Sequence, residues 1–380
     1  MRRIPPRPLA DDRMAAREVL DRKALNRALL ARQHLLRRAD LSPAQAVEHL
    51  IALQAQSPNA PYYALWSRLE AFEPRALSAL IEDRTLARGA LLRNTLHLAS
   101  AGDFQALRPL LAPSASRHMT EGSVHGHALA GLDREAVAKV GRDLIRETPR
   151  TNTRLRAALG ARWPNRDPAS LLAVIHALNA LVQLPPRGLW GEGGQPTLAL
   201  AEDWLGAPRG PKMSLEDLVR RYLAAFGPAS VADAQAWSGL SRLAPVFAAL
   251  RDDLAVFEDE NGVELFDLPG APRPEAVEPA PVRLLGEFDS VILGHADRAR
   301  ILGDLPKGRI MTVNGVIRAV LLVDGFVAGL WKLEVGKDRA TVTITPFAAL
   351  AKAAVQAAER EGQRLLAFAS PGVDAEIRWA

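Results

Sequence analysis

The stretch from residue 41 to residue 58 reads LSPAQAVEHLIALQAQSP. Ser42 predicts a helix N-terminus, because Pro43 suits the first helical position and Gln45 stands at the spacing of a capping box. Apolar side chains then recur at helical spacing, and Gln54 continues their stripe: Val47, Leu50 and Ile51. A polar amide therefore stands where a core side chain is expected.

Gln54 and Gln56 flank one small residue where this helix should end. In a continued helix their side chains would point apart, because two residues turn through roughly 200°. Pro58 disfavours a helical conformation at Ser57, so both amides can face one space if the chain loosens between them. The alternative is a helix C-terminus whose glutamines only cap backbone groups, and the hexapeptide LQAQSP by itself favours that alternative.

The composition is that of a globular protein with about two to four domains. The 380 residues are 48% hydrophobic and 24% charged, as in ordinary globular proteins. The sequence contains no run of 18 apolar residues that would predict a membrane span, and its start lacks the apolar core of a signal peptide. Without cysteine the chain has no disulfide or thiol nucleophile. A cytoplasmic enzyme or binding protein that does not contact membranes is expected.

The positive charge lies mainly at the start of the chain. The net charge is +5, and residues 1–40 hold eleven Lys and Arg against five Asp and Glu. The remaining residues are therefore about neutral, so a DNA surface in the body requires local clustering of arginines. Residues 1–20 are rich in Pro and Arg and are expected to form a flexible basic arm.

Residues 21–117 predict a first winged-helix unit, in which helices precede a pair of strands. One strand is expected over residues 91–98, and its alternation puts Arg93, Thr95 and His97 on one face. That face either contacts DNA or is simply solvated. The helices expected in this unit, besides the one after Ser42, span residues 21–38, 61–70 and 74–82.

Two more units with the same order of elements are predicted over residues 118–211 and 212–270. The second unit has a Gly/Pro-rich turn that carries Arg187. In the third, Ser230 caps a helix and Asn261-Gly262 predicts a type I′ hairpin. The acidic side chains of that hairpin would repel phosphates, so the third unit need not read DNA: Glu258, Asp259, Glu260, Glu264 and Asp267.

Residues 271–380 predict a β-rich C-terminal domain, either a small barrel or a curled sheet with one helix. The helix is expected over residues 347–361, and a last strand over residues 364–368. The other strands are expected over residues 282–285, 310–313, 316–323, 326–334 and 340–345. The predicted fold class is therefore α+β, with three tandem winged-helix units followed by a small β-barrel-like domain.

Familiar catalytic motifs are missing from the sequence. The glycine-rich residues 191–194 are too short for a phosphate loop, and no helix carries a His-Glu-x-x-His metal pair. Residues 285–298 concentrate Glu, Asp, His and Arg, which fits a structural ion-pair cluster better than a site for a hard cation.

The order of several short motifs resembles the AlkZ-type family of winged-helix bacterial DNA glycosylases over about residues 22–370. The tripeptide RNT at residues 93–95 departs from the Arg-Gly-Thr expected of that family. The matching segments are LQAQSP at 53–58, RNTLHL at 93–98, FGPA at 226–229, WSGL at 237–240, LLGEFD at 284–289, GHADR at 294–298, and DG at 324–325 leading to GLW at 329–331.

This resemblance implies tandem winged helices and a β-barrel around a DNA channel, in a nucleoid-associated monomer that acts on damaged or crosslinked duplex DNA. It implies excision of bulky N-alkylated purines or unhooking of crosslinks, without a metal or cofactor. The catalytic Gln-hydrophobic-Gln pair of the family corresponds to Gln54 and Gln56, and Gln at the second position points to the crosslink-repair branch. The candidates for DNA contact are Arg93, Thr95, His97, Arg187, His295 and Arg298.

The chemistry of glutamine supports the same interpretation. A carboxamide is not a base at neutral pH, but it can accept a hydrogen bond from water and hold that water in line. This suffices for an N7-alkylated purine, which is cationic and leaves as a neutral base, whereas an intact purine needs an acid. Glutamine also reads adenine through two hydrogen bonds, so a non-enzymatic winged-helix regulator is the second hypothesis. Three units in one chain favour a monomer over the symmetric dimer of most regulators.

Overall fold

The computed structural model describes residues 17–120 and 122–380, in which helices and strands alternate along the chain. The α-helices are α1 Arg22–Arg32, α2 Pro43–His49, α3 Ala60–Arg68, α4 Pro74–Glu82, α5 Ala101–Ser116, α6 Arg134–Glu147, α7 Asn152–Arg162, α8 Pro168–Leu178, α9 Ala201–Leu205, α10 Leu215–Phe226, α11 Val231–Ser238, α12 Ala244–Leu250, α13 Ser290–Leu293, α14 Ala299–Leu302 and α15 Lys352–Ala369. Within the described residues, no helix combines the length and apolar character needed to cross a bilayer.

The strands form three sheets, which differ in their number of strands. A six-stranded sheet has the order β2-β4-β3-β6-β7-β5, a three-stranded sheet the order β1-β8-β9, and a five-stranded sheet the order β10 to β14. The strands are β1 Val19–Leu20, β2 Leu53–Gln54, β3 Leu86–Ala90, β4 Leu96–Ser100, β5 Arg150–Thr151, β6 Leu181–Leu184, β7 Thr197–Leu200, β8 Ala255–Asp259, β9 Glu264–Asp267, β10 Arg283–Leu285, β11 Val320–Val323, β12 Phe326–Val335, β13 Arg339–Pro346 and β14 Asp374–Trp379.

The capping box predicted at Ser42 is present, but helix α2 is shorter than the sequence suggests. Its Ser42 and Gln45 satisfy each other's backbone N–H groups as the motif requires. The helix ends at His49, and Ile51 has a left-handed φ of 69°. The expectation that the helix ends between the two glutamines is therefore wrong: both follow it. The physical reason is that β2 pairs with β4, which holds residues 53 and 54 extended.

Strands β3 and β4 form a hairpin that differs from the single strand predicted over residues 91–98. The structure replaces the start of the expected strand over residues 91–98 by a 3₁₀ turn at Leu92–Asn94, between β3 and β4. Both Arg93 and Asn94 have positive φ angles, 54° and 59°. Because a strand cannot pass through that conformation, Arg93 does not share a strand face with Thr95 and His97.

A single sheet joins the first two helix-and-hairpin groups, since Gly89 of β3 pairs with Val182 of β6. A side chain at Gly89 would meet the backbone of Leu181 at 2.5 Å and the ring of Phe104, so only glycine permits this junction. Phe104 belongs to α5, a helix that the sequence reasoning missed because Pro109 and Pro113 interrupt its pattern.

In the third helix-and-hairpin group, helix α11 begins at the cap that the sequence predicts. Ser230 caps α11 with a capping box, and Gly239 ends that helix in the left-handed conformation. Strand β1 pairs in parallel with β8, so residues 19 and 20 belong to the folded body and not to a flexible arm. Residues 1–16 of the expected arm lie outside the described residues.

The C-terminal sheet is open, because β10 and β14 lie at opposite edges of the strand order. The barrel alternative is therefore not realised, and the sheet is covered by α15. Residues 364–368, expected as the last strand, belong to α15, and β14 follows it in the chain. The strand expected over residues 310–313 is reduced to one bridge between Met311 and Ile317.

Buried ion pairs tie the first helices to distant parts of the chain. Arg68 of α3 binds both carboxylate oxygens of Asp289 at 2.7 and 2.8 Å, and both side chains are fully buried. Arg32 of α1 binds Asp267 of β9 at 2.6 Å in the same way. These contacts confirm an ion-pair role for Asp289 in the polar segment 285–298.

Candidate active site

Strand β2 brings Gln54 and Gln56 to one side of the chain. Leu53 and Ala55 are buried in the core, Gln54 is half-buried and Gln56 is exposed. The chain stays extended through Ala55, whose N–H donates to the carbonyl of Leu96 at 2.8 Å. Because side chains alternate along an extended chain, the two amides lie on the same side. The expected neighbourhood of the two glutamines thus arises from strand periodicity and not from a helix end.

Each glutamine oxygen accepts a hydrogen bond from the β-hairpin. The guanidinium Nη2 of Arg93 donates to Oε1 of Gln54 at 3.0 Å. The backbone N–H of Leu96 donates to Oε1 of Gln56 at 3.2 Å. These donors restrict the orientation of both amides, which is the requirement for positioning a small molecule.

Arg93 is itself held by the third helix-and-hairpin group, since its Nη1 donates to the carbonyl of Trp237 at the end of α11. Burial and the nearby Arg298 lower the pKa of Arg93 to about 10, which leaves it cationic at neutral pH. The departure of Asn94 from the expected glycine has a structural explanation. Its φ of 59° is left-handed, and asparagine is among the few side chains that adopt this conformation readily.

Arg88 holds the backbone between the two glutamines, and the sequence reasoning missed it. Its Nη2 donates to the carbonyl of Ala55 at 2.6 Å, and its Nη1 donates to the side-chain oxygen of Gln183. Burial and Arg187 lower its pKa to about 10. The sequence does offer one signal for Arg88, because it is the one charged residue in the otherwise apolar strand Leu86–Ala90.

The side chains of His97 and Thr95 form hydrogen bonds within the hairpin. His97 pairs with Gln54 across β2 and β4, and it is 1% exposed. Its Nδ1 donates to the carbonyl of Thr95 at 2.8 Å, and the Thr95 hydroxyl donates to the carbonyl of Leu92 at 3.1 Å. Burial and the Arg93 charge lower the pKa of His97 to about 3. The imidazole beside Gln54 is therefore neutral at pH 7 and has no surface for a phosphate.

The remaining candidates for DNA contact are dispersed. His295 is 2% exposed, and its ring meets those of Tyr222 and Phe226, so it has no surface to offer DNA. Arg187 is half-buried and donates to the carbonyl of Gly194 at 2.8 Å. Arg298 is half-buried near Arg93, and burial lowers its pKa. Arg298 therefore lies near Arg93, and Arg187 lies near Arg88, which binds the carbonyl between the two glutamines.

In the part of the chain that the structure describes, no group of three or more His, Asp or Glu side chains is arranged to hold a metal ion. The groups that the structure brings together at β2 are two carboxamides, two guanidinium groups and a neutral imidazole. Such a set can orient water and accept or donate hydrogen bonds, but it offers no strong base.

Comparison with known proteins identifies DNA glycosylases. A family model described as DNA glycosylase AlkZ-like matches residues 47–368. A Streptomyces sahachiroi protein described as an interstrand DNA cross-link repair glycosylase is 25% identical over 353 residues, covering 87% of this chain and 92% of the relative. The structure of Streptomyces sahachiroi DNA glycosylase AlkZ has a TM-score of 0.77 at 21% identity, covering 94% of this chain and 99% of that chain. This last likeness is one of fold.

Proposed function

The chain belongs to the DNA glycosylase AlkZ-like family, and from this premise we propose that it is a monofunctional, metal-independent glycosylase for alkylated DNA. Its substrates are N-alkylated, cationic purines in duplex DNA, or the interstrand crosslinks that such purines form. The enzyme class follows from the family, whereas the type of lesion is our proposal. The related Streptomyces sahachiroi protein, which is described as a cross-link repair enzyme, supports the crosslink as substrate.

The observation that carries the proposal is the pair of oriented amides of Gln54, on β2, and Gln56, two residues after it. A carbonyl oxygen has two lone pairs, and in each glutamine one already accepts from Arg93 or from the N–H of Leu96. The second lone pair of either Gln54 or Gln56 can accept from a water molecule. An amide held in this way positions water without removing a proton from it in the ground state.

The reaction is a hydrolysis in which the leaving group provides the driving force. Water oxygen bonds to the sugar C1′, the C1′–N bond breaks, and its electron pair neutralises the positive charge of the alkylated base. The proton lost by the water passes to solvent. An intact purine would need protonation before leaving, and His97, with its pKa near 3, is not an acid that can supply it at neutral pH. Selectivity for cationic bases follows.

We further propose that the three helix-and-hairpin groups are winged helices arranged in tandem, and that the protein acts as a monomer. The groups are α1–α4 with β3 and β4, α6–α8 with β6 and β7, and α10–α12 with β8 and β9. DNA approaches the side of β2 that carries Gln54 and Gln56, where Arg93 and Arg298 supply positive charge. The regulator alternative has no observation in its favour, because the family describes an enzyme.

The test is incubation of the protein with duplex DNA that contains N7-methylguanine, scored for free base and for abasic sites. A second substrate is a duplex crosslinked through two guanine N7 atoms, scored for separated strands on a denaturing gel. We expect release from both alkylated duplexes, none from unmodified duplex, and no loss of rate in the presence of EDTA. Tight DNA binding without any base release would contradict the proposal.

A further inference from the structure

A cavity of about 750 Å³ opens beside the glutamine strand, between the start of α3 and the face of β12 and β13. Ser57 and Tyr63 line one wall, and Trp331 and Thr345 line the other. We propose that this cavity binds the alkyl adduct carried by the modified purine, as distinct from the purine itself. The inference rests on the proposed function, since it names the part of the substrate that this neighbouring space receives.

The cavity begins one residue after the proposed catalytic pair. Ser57 lines it, and Gln56 precedes Ser57 in the chain, so their Cα atoms are about 3.8 Å apart. Neither glutamine lines the cavity itself, so a purine whose glycosidic bond faces Gln54 and Gln56 reaches the cavity only through its N7 substituent. A methyl group is too short to reach the walls, whereas a larger adduct extends into the cavity.

The aromatic walls of the cavity are rigid before any ligand arrives. The rings of Tyr63 and Trp331 meet edge to face with their centroids 5.8 Å apart. The indole N–H of Trp331 donates to the carbonyl of Leu285 at 2.8 Å, which fixes the ring. Gly286 allows this wall to approach α3, because a Cβ there would lie 2.7 Å from the Cβ of Tyr63. An apolar or aromatic group therefore meets a preformed surface.

The charges around the cavity cancel, which argues against a phosphate as its occupant. Two cations, Arg318 and Lys332, face two anions, Glu287 and Glu334. Lys332 and Glu334 pair with each other at 2.7 Å. A site for the DNA backbone needs an excess of positive charge, and this cavity has none.

Two charged groups at the cavity are nevertheless available to a ligand. Across residues 17–120 and 122–380, neither Glu287 nor Arg318 forms a hydrogen bond or an ion pair with another side chain, and both are exposed. They offer one acceptor and one donor beside the aromatic walls. The volume falls in the usual range of small-ligand sites, about 300–1,000 Å³. The adduct that fits has an apolar or aromatic body with donor and acceptor groups.

The experiment compares two lesions in the same enzyme. One duplex carries N7-methylguanine, and the other carries the N7-guanine monoadduct of melphalan, an aromatic nitrogen mustard whose ring bears an amino acid group. Thr345→Trp fills the cavity from the exposed face of β13. We expect it to lower the ratio of the single-turnover rates, melphalan adduct over methyl adduct, by about tenfold or more relative to wild type.

The matched control is Val335→Trp, because Val335 is 60% exposed on the same hairpin and does not line the cavity. It should leave the ratio unchanged, and a melting curve of each variant reports whether the fold is kept. The double variant Glu287→Gln, Arg318→Gln is a second probe that removes both charges, keeps the shape of residue 287 and shortens residue 318, and it should lower the ratio by several-fold.

The outcomes separate this inference from the proposed function. An unchanged ratio in Thr345→Trp and in the double variant, with wild type active on both lesions, overturns the cavity assignment alone. A ratio that falls equally in Val335→Trp overturns it as well. Wild-type protein that releases neither base overturns the proposed function, and the cavity assignment with it.

Discussion

At the scale of single residues, the candidate site consists of two amides whose orientation is set by their neighbours. Arg93 donates to Gln54, the backbone of Leu96 donates to Gln56, and Arg88 holds the carbonyl of Ala55 between them. The two cations bind neutral oxygen atoms, and within residues 17–120 and 122–380 no carboxylate pairs with either of them. Arg93 therefore serves as a positioning residue for Gln54 and adds positive charge on the side where DNA is proposed to approach.

The first prediction is that Gln54→Ala and Gln56→Ala each slow the release of an N7-alkylated purine. A group that positions water acts on the transition state more than on substrate binding. For at least one of the two variants we expect a loss on the order of 10²-fold in the single-turnover rate, with a nearly unchanged dissociation constant for DNA. Wild-type rates in both variants would show that neither glutamine takes part in catalysis.

At the scale of elements, the site depends on the contact between the turn of the first hairpin and the end of α11. Gly239 ends α11 with a φ of 78°, and a Cβ at this position would lie 2.9 Å from the Cα of Arg93 and from Oγ of Ser114. The third helix-and-hairpin group thus fixes the residue that orients Gln54. Glycine is required there both for its conformation and for its lack of a side chain.

The second prediction compares Gly239→Ala with Gly262→Ala. Gly262 has a φ of 75°, but a Cβ there meets nothing within 4 Å. Gly262→Ala should lose roughly 1–2 kcal/mol of unfolding free energy because alanine is strained in the left-handed region, and Gly239→Ala should lose more, because its Cβ also clashes with Arg93 and Ser114. Only Gly239→Ala should also slow base release, because the added methyl displaces Arg93. Urea unfolding and single-turnover kinetics measure the two effects, and equal kinetics in both variants would contradict the coupling.

At the scale of the whole molecule, buried arginines of the N-terminal segment form ion pairs with the C-terminal half. Arg27 pairs with Asp324, Arg32 with Asp267 and Arg38 with Glu361, and the three arginine side chains are at most 8% exposed. These arginines belong to the basic segment of residues 1–40. Much of the excess positive charge of residues 1–40 therefore lies in ion pairs within the protein and is not available to DNA.

The third prediction concerns the buried pair of Arg68 and Asp289. Asp289→Ala removes the only carboxylate that Arg68 contacts among the described residues, so a buried guanidinium loses its counter-charge. We expect about 3–5 kcal/mol of lost stability. The control is Asp143→Ala, which breaks the exposed pair with Lys139 and should leave the stability almost unchanged, because water screens an exposed ion pair. Urea unfolding of both variants provides the measurement, and similar small losses would contradict the expectation.

The fourth prediction is that stability falls as the pH drops below about 6.5. Burial lowers the pKa of His97 to about 3 with help from Arg93, and burial and Arg300 lower that of His295 to about 3, against the opposing effect of Asp233. The unfolded chain, with histidine pKa values near 6.5, binds protons that the folded chain does not. The stabilisation is complete above pH 6.5 and is lost as the pH falls towards 3.

Each of these two histidines should therefore remove about 2 kcal/mol of unfolding free energy between pH 7.5 and pH 5. Urea unfolding at several pH values measures the slope. His295→Gln should reduce that slope, whatever it does to the stability at pH 7.5. A variant with the same slope as wild type would show that His295 does not contribute to the pH dependence.

The sequence alone determined the features that depend on residues close together in the chain. The capping box at Ser42 and the helix start at Ser230 are present as predicted. The predicted hairpin at Asn261-Gly262 is present too, but its turn is not type I′, because only Gly262 of the two residues has a positive φ. The family and the enzyme class were also predicted from the sequence, through short motifs in a fixed order, and the family match confirms them. Caps and turns form from contacts within about four residues, so their signals survive in a single sequence.

Tertiary structure alone decided how the proposed site is built. The apolar stripe after Ser42 predicts helix as far as Gln54, yet the chain leaves the helix at His49 because β4, more than 40 residues later, offers a strand partner to residues 53 and 54. The same is true of Arg88 and Arg93, whose partners lie on β2, β6 and α11. Strand pairing and burial depend on which distant segments meet, and a local sequence pattern does not determine which segments these are.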